Sequence, residues 1–296
     1  VNITRAIDFA WYVVYYDSLG IQVFNGVELI QQTHIPKSMT IAGSDSGGGA
    51  GIQADLKTFA AFGVYGTSVI TAITAQNTNR VTGIQAVEVE LITSQYEAIL
   101  EDIGTNSIKI GMLFNAQIVD AVAKMLKRNN PGNIVLDPVM ISKSGDNLLR
   151  SDCIDVLRSE LIPLATVVTP NIPEGEELTG IKIVDKDSMI EAAKSIIEMG
   201  AQSVIMKGGH MSGDPVDYFF DGQNSIELVS KRIDTKNTHG TGCTFSSAVA
   251  ANLALGNDLE ESTRIAQSYV YDSIDPDFDI GSGHGPLNHF RRFWNM

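Results

Sequence analysis

The sequence predicts an α/β fold in which a mostly parallel sheet is covered by helices on both faces and carries a small antiparallel edge. From Ser38 onward, short apolar strand-like runs alternate with amphipathic helical stretches, which is the pattern of βαβ units. Almost every strand-like run ends in glycine, polar or titratable residues, as expected where ligands bind beyond the carboxyl ends of parallel strands. Late in the chain, two apolar runs separated by Asp-Gly-Gln indicate an antiparallel hairpin.

The elements follow in order from these patterns. Strands are predicted at residues 39–42, 68–74, 107–112, 134–137, 166–169 and 203–207, with the hairpin strands at 219–220 and 226–229. Helices are predicted at residues 52–62, 94–103, 116–128, 153–161, 188–199, 244–255 and 259–274. Within 116–128 the apolar residues recur at steps of three and four, as a helix with one buried face requires.

Composition indicates a globular chain of enzyme size. Its 296 residues, 44% hydrophobic and 19% charged, suffice for one large α/β domain or two small ones. A net charge of −14 argues against a nucleic-acid-binding surface, which needs a basic footprint. The two cysteines give no disulfide framework, and no apolar run near the start is long enough to span a bilayer. We therefore expect a cytoplasmic protein with neither nucleic-acid nor membrane partners.

The first 37 residues differ from the rest of the chain. Apolar residues flank Asn25 and Gly26, an Asn-Gly pair that is a strong signal for a hairpin turn. The segment carries no residue pattern with an evident chemistry. We predict an N-terminal extension at 1–37 and a single domain at 38–296.

A polar loop at 234–243 runs into an Ala-rich helical segment. Its last residues, Gly240, Thr241, Gly242 and Cys243, are expected to place unpaired backbone N–H groups at a helix N-terminus. Such groups, together with the helix dipole, hold anions and stabilise the charge on a transferring phosphoryl group. The alternative is an ordinary tight turn before a helix.

Further motifs occur in order along the chain. They are Ala-Gly-Ser-Asp-Ser-Gly-Gly-Gly-Ala-Gly at 42–51, Thr-Ala-Gln-Asn-Thr at 74–78, Lys-Ile-Gly-Met-Leu at 109–113, Leu-Asp-Pro-Val-Met at 136–140, Lys-Ser-Gly at 143–145, Thr-Pro-Asn-Ile-Pro-Glu at 169–174, Met-Lys-Gly-Gly-His at 206–210 and Gly-His-Gly-Pro-Leu-Asn-His-Phe at 283–290. With the loop at 234–243, they resemble the bacterial hydroxymethylpyrimidine/phosphomethylpyrimidine kinases of the ribokinase-like superfamily. The resemblance covers about residues 38–294.

This resemblance implies a ribokinase-like three-layer α/β/α sandwich that acts as a homodimer. It implies ATP and Mg²⁺ as cofactors. The implied reaction phosphorylates 4-amino-5-hydroxymethyl-2-methylpyrimidine and then its monophosphate, in thiamine diphosphate biosynthesis. Two alternatives stay open: a cysteine-type pyridoxal kinase and a non-catalytic vitamer-binding protein. Intact phosphoryl-transfer motifs argue against the second.

The resemblance assigns Gly43, Asp55, Gln76, Met112 and Val139 to the pyrimidine side of the site. The amide of Gln76 carries a donor and an acceptor, so it matches the ring nitrogen and exocyclic amine of an aminopyrimidine. Without the resemblance, Gln76 reads as a polar strand-end cap and Asp55 as a solvated carboxylate in a first helical turn. Met112 and Val139 then read as ordinary core.

Asp137 and Glu174 are the predicted metal ligands, because Mg²⁺ prefers oxygen donors and needs only one or two carboxylates. The spacing of Asn171 and Glu174 resembles the superfamily motif associated with Mg²⁺ and phosphate. Lys207 is expected to neutralise nucleotide phosphate, and Asn171 and Thr241 to contact the nucleotide. The alternatives are a Glu174 favoured by the helix dipole, a strand-end cap at Asp137 and a surface lysine.

The resemblance also makes Cys243 the proton acceptor, where the wider superfamily usually has aspartate. A helix N-terminus lowers the pKa of a thiol, so we expect a thiolate base. The alternative is a small residue that fits a crowded turn. The loop at 143–145 is predicted to close over the site, and His239 to act as a hydrogen-bonding loop residue.

Overall fold

The computed structural model describes residues 12–17, 20–25, 35–129, 131–140, 152–210 and 213–291. The chain divides into two compact units, Val1–Ile35 and Pro36–Met296. None of the helices in these described ranges is long and apolar enough to cross a membrane.

The first unit contains an antiparallel hairpin of β1 (Tyr12–Asp17) and β2 (Gly20–Asn25). Asp17 pairs with Gly20, and Tyr12 pairs with Asn25. The predicted turn at Asn25-Gly26 stays a prediction, because Gly26 lies outside the described residues. The aromatic and β-branched residues of β1 have high strand propensity, and β1 is the strand that pairs with β2.

The second unit is built on a sheet whose nine described strands have the order β11-β10-β9-β8-β7-β6-β3-β4-β5. These strands are β3 (Lys37–Asp45), β4 (Tyr65–Gln76), β5 (Val81–Ala86), β6 (Ser107–Ile110), β7 (Ile134–Leu136), β8 (Val167–Val168), β9 (Val204–Met206), β10 (Val216–Phe220) and β11 (Ser225–Val229). In this spatial order, the strands β9, β8, β7, β6, β3 and β4 are each parallel to the next. The predicted antiparallel hairpin forms one edge, and β5, which was not predicted, adds an antiparallel strand at the other.

Helices cover both faces of this sheet. They are α1 (Gly51–Ala61), α2 (Val89–Asp102), α3 (Ala116–Asn129), α4 (Cys153–Val156, continuing as a π-helical turn), α5 (Ile172–Thr179), α6 (Lys186–Glu198), α7 (Thr241–Ala254) and α8 (Leu259–Ser273). One apolar core holds buried side chains of α2, α3 and α6, and a second holds those of α1, α7 and α8. The two cores lie on opposite faces, which confirms the three-layer α/β/α architecture.

Two of the helices bear directly on the site. Helix α7 is buried over nearly its whole length, which its small residues allow between the sheet and α8. Helix α5 was not predicted. It begins at a capping box formed by Asn171 and Glu174, with proline in its first turn.

Candidate active site

A cavity of about 1090 Å³ opens at the carboxyl ends of the parallel strands. The segments after β3, β4, β6, β7, β8 and β9 and the N-terminus of α7 all contribute to its wall. Of the residues predicted for the site, those on the wall are Gly43, Gln76, Met112, Asp137, Val139, Asn171, Glu174, Lys207, Gly240, Thr241, Gly242 and Cys243. The structure thus brings together residues that span two hundred positions of the chain.

The N-terminus of α7 faces this cavity. Gly240 caps the helix with φ 83°, a left-handed conformation that favours glycine. A Cβ at this position would collide with the carbonyl oxygen of Gly49. The Gly240 carbonyl accepts the first helical hydrogen bond, from Thr244 N at 2.8 Å. The N–H groups of the first turn have no intrahelical acceptor, so the cavity meets the positive end of the helix dipole.

Asp45 ties the glycine loop after β3 to the loop before α7. Its carboxylate accepts hydrogen bonds from the backbone N–H groups of Gly47, Gly49 and Ala50 at 2.7, 3.0 and 2.9 Å. His239 Nε2 lies 2.9 Å from Asp45 Oδ2. Burial raises the pKa of Asp45, but the hydrogen bond and charge of His239, with the loop N–H groups, lower it overall. The expectation that His239 is a hydrogen-bonding loop residue agrees with these contacts.

Two carboxylates and one lysine lie beside the first turn of α7, where a Cβ at Gly242 would be 3.2 Å from Lys207 Nζ. Lys207 Nζ lies 2.9 Å from Asp137 Oδ1, and Asp137 is 1% exposed. Glu174 accepts a hydrogen bond from Asn171 N at 2.8 Å and donates its own N–H to Asn171 Oδ1 at 3.0 Å. Burial raises the pKa of Glu174 to about 7, the charge of Lys207 opposes this rise, and the charge of Asp137 adds to it. The charge of Lys207 thus does not fully offset the effect of burial on the pKa of Glu174.

The donor chemistry of these carboxylates fits Mg²⁺. Asp137 and Glu174 present oxygen atoms to the cavity, and a divalent cation beside them would favour the ionised form of Glu174. In the described parts of the chain, no three His, Cys, Asp or Glu side chains form a metal site by themselves. Mg²⁺ usually takes one or two carboxylates and completes its shell with water and phosphate oxygens.

Another part of the wall combines one amide with apolar side chains. Gln76 ends β4, where Thr74 Oγ1 donates to its Oε1 at 3.3 Å and its Nε2 lies 3.4 Å from His239 Nε2. Met112 and Val139 belong to a small apolar cluster on this side. A Cβ at Gly43 would approach the Met112 sulfur to 3.0 Å, so glycine keeps this wall open. An amide beside an apolar surface suits a flat, polar heterocycle.

The sequence model described as phosphomethylpyrimidine kinase matches residues 45–288. This chain belongs to the phosphomethylpyrimidine kinase family. It is 48% identical over 261 residues to the hydroxymethylpyrimidine/phosphomethylpyrimidine kinase of Rhizobium meliloti, an alignment that covers 87% of this chain and 98% of the relative. It is 50% identical over 252 residues to the thiamine biosynthesis bifunctional protein of Geobacter sulfurreducens. That alignment covers 85% of this chain and 51% of the bifunctional protein, so the chain spans about half its length.

A solved structure supports the fold. An ADP complex of Bacillus subtilis pyridoxal kinase superposes with a TM-score of 0.81 at 39% identity, covering 88% of this chain and 99% of that one. The sheet order and layers described above, with this likeness, confirm the ribokinase-like fold. Phosphomethylpyrimidine kinase relatives and a pyridoxal kinase thus share the architecture, and the choice between substrates depends on individual cavity residues.

Asp55 is not in a position to contact a substrate in the cavity. It is 0% exposed, it is absent from the cavity wall, and both of its oxygens lie 2.9 Å from Lys109 Nζ. Thr40 and Ser247 donate hydroxyl hydrogen bonds to it, each at 2.6 Å. The expected substrate contact is therefore corrected to a buried ion pair. The alternative of a solvated first-turn carboxylate is also wrong, because α1 begins at Gly51.

The expected low pKa of Cys243 is also wrong for the protein without ligands. Burial raises the pKa of the Cys243 thiol to about 11, the charge of Lys109 opposes the rise, and Asp55 and Asp137 add to it. The N–H of Gly51 donates to the sulfur. Loss of hydration outweighs the helix N-terminus here, so Cys243 is a neutral thiol in the resting protein.

The sequence analysis did not identify Lys109 and Asp45 as site residues, although they lie in the motifs at 109–113 and 42–51. The available signal for Lys109 was a charged residue within an otherwise apolar strand, Ser-Ile-Lys-Ile. For Asp45 it was a carboxylate two positions before the first of three glycines, whose N–H groups are accessible to an acceptor. The predicted closing loop at 143–145 lies outside the described residues.

Proposed function

We propose that this protein is an ATP-dependent kinase of 4-amino-5-hydroxymethyl-2-methylpyrimidine that also converts the monophosphate to the diphosphate. The observation that carries the proposal is that Gln76 and the N-terminus of α7 line the same cavity. An amide suited to an aminopyrimidine is thereby combined with N–H groups suited to a phosphoryl group. Relatives named for both activities, at 98% coverage of their length in one case, support it.

The residues of the cavity divide the chemistry as follows. Lys207 is proposed to bind nucleotide phosphate, with Asn171 and Thr241 as further nucleotide contacts. The first-turn N–H groups of α7 would stabilise the charge of the transferring group. Asp137 and Glu174 would hold Mg²⁺, which neutralises phosphate charge when bound.

Cys243 is proposed to take the proton of the substrate hydroxyl. It must be a thiolate to do so, and its resting pKa of about 11 makes that thiolate a strong base once it forms. The positive charge of Lys109 favours the thiolate against burial. Because phosphoryl transfer passes through a loose transition state, the nucleophile does not have to be fully deprotonated early.

A coupled assay of ADP release tests the assignment with three acceptors: the hydroxymethylpyrimidine, its monophosphate and pyridoxal. We expect turnover of both pyrimidines and slow turnover of pyridoxal at best. Equal efficiency with pyridoxal would favour the pyridoxal kinase alternative. Binding of the pyrimidine with no ADP release would favour the non-catalytic binding protein.

Replacing Gln76 by methionine is expected to weaken the preference for the pyrimidine. The substitution keeps the side-chain length but removes the amide that would pair with the aminopyrimidine edge. Losing such pairing costs about 1–3 kcal/mol, or roughly 5- to 150-fold in kcat/KM. Pyridoxal has no matching amine, so its kcat/KM should change much less.

The matched control for this variant is Gln85→Met on the neighbouring strand β5, where the side chain is exposed. Both variants are assayed with pyrimidine and pyridoxal. An unchanged pyrimidine-to-pyridoxal ratio in Gln76→Met would show that Gln76 is only a strand-end cap.

Removing residues 1–36 is expected to leave turnover of the pyrimidine largely intact. Every residue described on the cavity wall lies at Gly43 or later. Steady-state assays of the truncated and full chains, with circular dichroism to verify folding, check this. A folded truncated protein without turnover would show that the N-terminal unit takes part in the activity.

We also propose that the protein is a homodimer and that it acts in the cytoplasm. Strand β5 has one described neighbour in the sheet, and Ile73 on the adjacent β4 is 55% exposed. An edge strand beside exposed apolar surface is a common site of pairing. Sedimentation velocity at micromolar concentration would detect the dimer.

A further inference from the structure

A buried charge pair lies beneath the first turn of α7. Lys109 and Asp55 are each 0% exposed, and Lys109 Nζ contacts both carboxylate oxygens at 2.9 Å. Burial lowers the pKa of Lys109, but the charge of Asp55 more than offsets it. Burial raises the pKa of Asp55, and Lys109, Ser247 and Thr40 oppose that rise. The three donor groups within 2.9 Å of its oxygens suit a carboxylate, so we treat the pair as ionic. Pairs of this kind recover little or no stability once the cost of removing their hydration is counted. A role other than stability is therefore worth seeking.

The pair is connected to the helix that carries Cys243. Ser247 lies one turn after Cys243 on α7 and donates to Asp55 Oδ1 at 2.6 Å. Thr40 on strand β3, next to β6 in the sheet, donates to Asp55 Oδ2 at 2.6 Å. Asp55 thus joins α1, β3, β6 and α7 through side-chain contacts. These contacts fix the rotation and depth of the turn that presents the thiol.

The positive end of the pair points to the cavity. Lys109 contributes to the cavity wall, whereas Asp55 does not. A Cβ at Gly111 would lie 2.8 Å from Lys109 Nζ, so glycine at this position leaves the ammonium group its space. Of the two residues of the pair, only Lys109 therefore belongs to the site.

We infer that Lys109 is a positioning residue which, locked by Asp55, orients the first turn of α7 and keeps a positive charge beneath the Cys243 thiol. The charged groups that act on this thiol come from four elements: Lys109 from β6, Asp55 from α1, and Asp137 and Lys207 from the segments after β7 and β9. Among these groups, Lys109 most strongly opposes the rise that burial causes in the pKa of Cys243. The effect of Lys109 on kcat rests on the proposed function, but its effect on the reactivity of the Cys243 thiol does not.

The test uses the double variant Lys109→Met/Asp55→Asn. Lys109→Met alone would leave a buried carboxylate without its cation and risks unfolding, whereas the double variant replaces the pair by neutral groups of similar size. The first measurement is the rate at which iodoacetamide modifies Cys243, followed by mass spectrometry of its peptide from neutral to alkaline pH. We expect the rate at a fixed pH to fall, because Lys109 opposes the rise in the pKa of Cys243 more strongly than Asp55 adds to it. The second measurement is kcat, which should fall at least as far with little change in KM.

The control is Lys37→Met at the opposite end of β3, which removes a lysine bound to the Ile103 carbonyl at 2.6 Å. It should change neither the modification profile nor kcat. A folded double variant with the wild-type profile and kcat would overturn the inference and leave the pair a purely structural device. A shifted profile in a protein that does not phosphorylate the pyrimidine would instead keep the inference and refute the proposed function.

Discussion

Replacing Cys243 by alanine is expected to lower kcat by roughly 10²- to 10⁴-fold, the usual effect of losing a general base. KM for the pyrimidine should change far less, because proton transfer matters in the transition state and not in substrate binding. The helix N-terminus and the glycine before Cys243 stay in place in this variant. Loss of rate therefore reports on the thiol itself, and steady-state kinetics with both pyrimidine substrates measure it.

Two companion variants sharpen this experiment. Cys243→Ser keeps a small polar side chain of weaker acidity, so it should recover little of the rate. Cys153→Ala changes a cysteine of the core instead, where it is 0% exposed, and should lower thermal stability without lowering kcat in the folded protein. Near-normal kcat in Cys243→Ala would show that the N–H groups and the metal suffice without a base.

Replacing Lys207 by methionine is the second change for which a large loss is expected. Its ammonium group contacts Asp137 and opposes the rise in the pKa of Glu174. Without it, two buried carboxylates face the incoming phosphates with no protein cation between them. We expect kcat to fall roughly 10²- to 10³-fold, as for the loss of one preorganised charge-stabilising group. KM for ATP should rise as well.

Stability measurements complete the test of Lys207→Met. The pKa of Glu174 rises further without the lysine, so ionisation of this buried group destabilises the fold as the pH increases through neutrality. The loss in melting temperature relative to wild type should thus be larger at about pH 8 than at about pH 6. Lys194→Met on the exposed face of α6 serves as the control. Equal ATP kinetics in the two variants would contradict the proposed role of Lys207.

The position of the site was predictable because parallel strands end at a common edge. Polar residues after six strand-like runs had to converge there, and the structure brings Gln76, Asp137 and Lys207 to one cavity. The same reasoning missed α5 and β5. The first is a helix of only eight residues with a proline in its first turn, and the second carries a glycine and few strongly apolar residues. Short elements without a clear period give little signal.

The ion pair of Asp55 and the resting charge state of Cys243 were not accessible from the sequence. Asp55 reads as a first-turn carboxylate, and its cation lies 54 positions further along the chain. The pKa of Cys243 depends on how much water reaches the sulfur, which is set by the packing of α7 against the sheet. Local motifs define which groups are present, whereas burial and long-range partners define their charge.

The contacts of Asp55 also have a consequence for the order in which parts of the molecule fold during its synthesis. Its partner Thr40 is 15 residues away and Lys109 is 54, whereas Ser247 is 192 residues away. On a ribosome, the ion pair can form while α7 is still untranslated. Non-local contacts are slow to form because a long loop must close first. Docking of α7 against a preformed charged surface would then be a late event, and a nascent chain that has not reached Ser247 would lack the contact of α7 with Asp55.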